Sequence, residues 1–168
     1  MLSALMLMAG LARGAQAIPP PVLPSVLPPG DLAFGLERLH WGMTPPEARG
    51  FYPALDGNPA EPGQPSSTLS LADYPAAGCK FTVTLNFDRG RLSGVDLDSN
   101  GTAHLKMCGD RMKAALLSQY GGEPGGFSNA PNPHGYSEYG TWGGPVTEVV
   151  YAALRDGFIE IHFTRTPR

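Results

Sequence analysis

The chain reads as an α+β domain: an antiparallel β-sheet of about four to five strands with two helices packed on one face. Two hairpin patterns and two capped helical segments predict it. In the first hairpin Phe81, Val83, Leu85 and Phe87 alternate with Thr82, Thr84 and Asn86, the period of a strand with one buried face. In the second, Val149, Tyr151 and Ala153 lead to a turn at Asp156-Gly157, and Ile159, Ile161 and Phe163 return the chain. Two hairpins and two helices make one sheet with a helical layer on one side.

The order along the chain starts with residues 1–17, which read as a signal peptide. Leu2 to Ala12 is an apolar run, and Ala15-Gln16-Ala17 has the form of a cleavage site. A run of about eleven residues makes a helix of about 17 Å, well short of the roughly 30 Å hydrocarbon core, so it does not read as a membrane span. The first positive charge, Arg13, follows the run instead of preceding it. Residues 18–31 carry Pro19, Pro20, Pro21, Pro24, Pro28 and Pro29. Such a stretch lacks amide donors and favours an extended, flexible segment. A single α+β domain is then expected over 32–168, opened by a short leading strand through Phe34, Leu36 and Leu39.

Thr44 starts the first helix as N-cap, with Pro45 at the first helical position and Glu47 placed for a capping box. It should end by about Tyr52, and the Gly/Pro/Ser-rich stretch from Asp56 to Ser67 predicts a long irregular connection. After the first hairpin strand, Asp88-Arg89-Gly90-Arg91 turns the chain and Leu92, Val95 and Leu97 return it. The change of parity between Leu92 and Val95 predicts a bulge at Ser93-Gly94. Thr102 caps a second helix whose Leu105, Cys108, Met112, Ala115 and Leu116 follow helical spacing, and Gly121-Gly122 ends it. From Glu123 to Pro145 the composition again predicts irregular chain. No internal repeat is visible.

Composition narrows the function. The net charge is −3, from 12 basic and 15 acidic side chains, and no basic run is present, which argues against nucleic acid or an anionic membrane surface as partner. Cys79 and Cys108 are the two cysteines, and in an oxidising compartment such a pair is read first as one disulfide. Cys108 falls on the apolar helix face and Cys79 just precedes Phe81, so the bridge would pin helix to sheet. Two buried thiols, or a metal site using His104 and Cys108 on one helix face, are the alternatives.

One passage carries a resemblance. Leu39-His40-Trp41-Gly42-Met43-Thr44-Pro45-Pro46-Glu47-Ala48 and Leu116-Leu117-Ser118-Gln119-Tyr120-Gly121 look like segments of small exported bacterial proteins. Gly42-Met43-Thr44 before a short helix resembles the small lipoprotein of the outer-membrane barrel-assembly machinery and the inhibitor proteins of secreted β-lactamases. That resemblance implies a non-enzymatic protein acting by protein contact, and it carries over the α+β layout but no functional residue. The lipoprotein's lipid-bearing Cys has no counterpart here.

Chemistry-bearing patterns are few. Gly-x-Ser-x-Gly, His-Glu-x-x-His, P-loop and dinucleotide fingerprints are missing from the sequence. Glu160 and His162 stand two apart on one strand face, as an acid–base pair or as an ordinary solvated face. Asp96-Leu97-Asp98-Ser99-Asn100-Gly101 matches the first half of a calcium loop, with Asp96, Asp98 and Asn100 as ligands, yet its twelfth position is Met107 where a bidentate Glu is required. Asn100-Gly101-Thr102 is also a glycosylation sequon. The segment Glu123 to Pro145 carries Phe127, His134, Tyr136, Tyr139 and Trp142; exposed aromatics on a long loop suit a protein or glycan contact. The resulting expectation is a periplasmic or secreted protein, without cofactor, that binds an envelope or extracellular protein or glycan. A small hydrolase-like enzyme and a calcium-binding module are the alternatives.

Overall fold

The computed structural model describes residues 32–57, 65–99, 105–121, 136–143, 146–154 and 158–166. Helix α1 (Pro45–Phe51) is followed by β1 (Ser66–Ala76), β2 (Cys79–Asp88) and β3 (Arg91–Ser99). Helix α2 (Leu105–Tyr120) is followed by β4 (Tyr136–Gly143), β5 (Thr147–Leu154) and β6 (Ile159–Arg165). The strands form one antiparallel sheet in the order β1-β2-β3-β6-β5-β4. The topology is therefore a helix with a three-strand meander, twice over, the two meanders meeting at β3 and β6. This repeat of form has no counterpart in residue pattern.

The α+β class stands, but the sheet has six strands instead of four to five. Residues 34–39 are turns, not a leading strand. β4 lies in a stretch whose composition predicts irregular chain, and β1 starts at the end of another and continues through residues for which no element is expected; both have physical reasons for hiding. In β1 the pairing slips between Leu71 and Tyr74, where Asp73 takes a φ of 54°, so the buried residues change parity midway. Its Pro75 is tolerated because β1 is an edge strand. In β4, buried Gly140 stands opposite Tyr151, putting a residue without a side chain where a hydrophobe would mark the pattern.

Elsewhere local chemistry and structure agree. Glu47 accepts from the Thr44 amide at 2.6 Å and from its hydroxyl at 2.8 Å, which holds its carboxyl below the usual range and caps α1. Ala77-Gly78 and Arg89-Gly90 both take positive φ at each position, the two-residue turn whose twist matches a hairpin. The predicted bulge is present: Asn86 pairs Gly94 and Phe87 pairs Leu92, leaving Ser93 as the extra residue.

One sheet face is covered. Phe81, Val83, Leu85, Val95, Leu97, Ile161 and Phe163 are all buried on it, under α2 through Cys108, Met112 and Leu116 and under the turns that carry Leu32, Leu36, Leu39 and Met43. Gly109 lets α2 approach closely, since a Cβ there would lie 3.1 Å from the Tyr151 hydroxyl. Cys79 and Cys108 are bonded, with Cα atoms 5.9 Å apart, tying α2 to the start of β2 as the spacing predicts. The Trp41 indole N–H donates to Thr147 Oγ1 at 2.9 Å, linking the segment before α1 to the second meander. No helix among the described residues is long and apolar enough to cross a membrane.

Candidate functional site

Strand parity places a second set of side chains on the opposite face. Thr82, Thr84 and Asn86 of β2, Asp96 and Asp98 of β3, Glu160 and His162 of β6, and Tyr139 and Thr141 of β4 alternate with the buried residues and are each half-buried. The described helices and turns pack on the other side, so this face is open among the described residues.

Its centre is a line of polar contacts across three strands. The Asn86 amide donates to Asp96 Oδ2 at 2.6 Å. Asp96 Oδ1 lies 2.8 Å from His162 Nδ1, and His162 Nε2 faces Glu160 Oε2 at 3.6 Å. Gly94 makes room for it: a Cβ there would stand 3.4 Å from the Asn86 amide nitrogen. Asp96 lies directly opposite His162, and Asp98 directly opposite Glu160. The hydrogen bond to Asp96 raises the His162 pKa against the opposing effect of burial, and Glu160 adds to the rise. Burial, followed by the charges of Asp96 and Glu160, raises the Asp98 carboxyl.

Like charges directly opposite each other on a sheet are destabilising. Asp98→Asn is therefore expected to raise stability at neutral pH by about 0.2–1 kcal/mol, read as a higher denaturant midpoint with an unchanged slope. A lower midpoint would show that Asp98 is held by an interaction outweighing the repulsion.

Of the expected site residues, the structure describes the side chains of Tyr139, Trp142, Asp96, Asp98, Cys79 and Cys108. Phe127, His134, Asn100 and His104 lie outside the described residues, as does the turn at Asp156-Gly157. Tyr136 opens β4, its side chain likewise outside them. Tyr139 stands on the open face. Trp142 does not join an aromatic contact surface: it is 3% exposed, on the covered face, beside Tyr120 with ring centroids 6.4 Å apart, and its indole N–H donates to the Gly121 carbonyl. The reason is parity, which sends Trp142 opposite Val149 into the core. Asp96 and Asp98 project from an extended strand that runs on through Ser99, so they do not curl about a point as calcium-loop ligands do. Cys108 is bonded to Cys79 and has no thiolate to offer a metal. Among the described residues no group of three His, Cys, Asp or Glu side chains forms a metal-binding set.

Chemically, the Asp96 carboxylate fixes the imidazole with its proton on Nδ1, the orienting half of an acid–base dyad. The Glu160 and His162 pairing is legible two residues apart on β6. Asp96 and Asn86 were not legible as their partners, because only strand register brings together residues 66 and 10 positions apart. Comparisons with family models, with curated proteins and with solved structures return no match to this chain.

Proposed function

We propose that this is an exported, non-enzymatic protein that binds another protein through the open face of its sheet, the partner presenting Lys or Arg side chains. The observation that carries the reading is the opposition of Asp98 and Glu160 on a half-exposed surface, where a partner's cation would offset the repulsion between the two carboxylates. Tyr139 adds an amphipathic ring on the same face, a residue type common at protein contacts. The Cys79–Cys108 bridge and the apolar N-terminal run support an oxidising compartment, periplasmic or secreted.

The test compares envelope extracts passed over the purified domain and over its Asp98→Asn/Glu160→Gln variant. A protein held by the first, lost from the second and released by raised salt supports the reading, because steering by surface charge is screened. The same species on both, or none on either, overturns it. Retention of a neutral glycan independent of salt would also overturn it. A second reading, acid–base catalysis, is favoured by the Asp96–His162 dyad; it requires hydrolytic activity that His162→Gln abolishes.

A further inference from the structure

The β3–β6 pairing is the strand contact through which the two meanders join. On its open side one imidazole stands among carboxylates: Asp96 directly opposite, Glu160 two residues along its own strand, and Asp98 opposite Glu160. From β5, Val150 lies directly opposite His162 and Glu148 opposite Thr164. From β2, Thr84 pairs with Asp96 and Asn86 holds its second oxygen. The charged groups facing His162 from both neighbouring strands and its own are thus all acidic.

One proton decides the balance of this cluster. A protonated His162 places a cation 2.8 Å from Asp96 and 3.6 Å from Glu160, in a charge-assisted hydrogen bond across the seam to Asp96 and an ion pair along β6 to Glu160. A neutral His162 keeps the hydrogen bond to Asp96 but leaves Asp96, Asp98 and Glu160 repelling one another. We propose that His162 is a proton-operated clasp across the β3–β6 seam, tightening the joint between the two meanders and reducing the negative charge of the open face when protonated. This does not rest on the binding role above.

The direction with pH follows from the cluster. His162 titrates above its ordinary value of 6.5 in the folded chain, so its stabilisation is fully present below that value and is lost as pH rises through the raised one. Asp98, also raised, favours its protonated form and so works in the same direction at lower pH. Glu47 works oppositely, its support for α1 disappearing as pH falls through its lowered value. The window that isolates the clasp is therefore above pH 6.5, away from the acid range in which Glu47 acts in the opposite sense.

Imidazole NMR titration of the full chain tests this directly. The His162 midpoint is expected above that of histidine in the unfolded chain, and Asp96→Asn is expected to lower it by about one unit, a tenfold loss of proton affinity. The thermal midpoint of the wild type should fall by roughly 2–4 °C from pH 6 to pH 9, whereas His162→Gln should be flat over that range. An unshifted His162 midpoint, or a His162→Gln variant that keeps the wild-type profile, overturns the clasp. If that variant does not fold, the wild-type titration decides alone.

Discussion

Reduction of the Cys79–Cys108 disulfide is expected to lower stability by about 3–4 kcal/mol, the chain-entropy value for a loop of this length, and to lower the thermal midpoint by roughly 10 °C. The bond closes a separation of 29 residues, a loop that contains the hairpin of β2 and β3 and the start of α2. Its loss frees the unfolded chain far more than it disturbs the folded one, because α2 remains docked through Met112 and Leu116, both fully buried. A Cys79→Ser/Cys108→Ser variant should therefore keep the far-ultraviolet spectrum of the wild type while unfolding at lower denaturant. Equal midpoints for the oxidised and reduced protein would show that the unfolded chain retains this loop without the bond.

Phe163→Ala is the second large effect expected, a loss of about 3–5 kcal/mol from a domain whose total stability is of the order of 5–15 kcal/mol. Phe163 is fully buried and lies where both meanders and the covering layer meet. Val95 of β3 and Val149 of β5 stand opposite it, Phe34 meets it edge-on, and Tyr120 at the end of α2 packs at a tilt, each ring centroid 6.4 Å away. Truncation leaves a cavity bounded by four elements that the disulfide and the sheet hold apart, so little collapse can fill it. Thr164→Ala, one residue on and facing solvent, should change stability by less than about 0.5 kcal/mol. Chemical denaturation of the two variants separates them; a Phe163→Ala cost near that of Thr164→Ala would mean that this junction is loosely packed.

The six-strand sheet also separates Tyr139 from Trp142. Composition over Glu123 to Pro145 is dominated by Gly, Pro and Asn, yet its last part is β4, and strand parity divides its aromatics between the two faces. Tyr139 goes to the open side and Trp142 to the core.

By itself the sequence determined the parts of the fold that depend on neighbours in the chain. The capping of α1 by Thr44 and Glu47, the alternation in β2, the Ser93 bulge and the tight turn at Arg89-Gly90 all rest on residues within a few positions of each other. The disulfide was also legible, since two cysteines have one intramolecular pairing. Tertiary structure alone decided the rest. β1 and β4 owe their extended form to partners elsewhere, Val83 and Leu85 for one and Tyr151 and Val149 for the other, and edge strands with a bulge or a buried glycine carry no strong period of their own. The meeting of Asp96 with His162 depends on the register of two strands separated by α2 and two further strands. Register is set by the burial of whole faces, which no short window of residues contains.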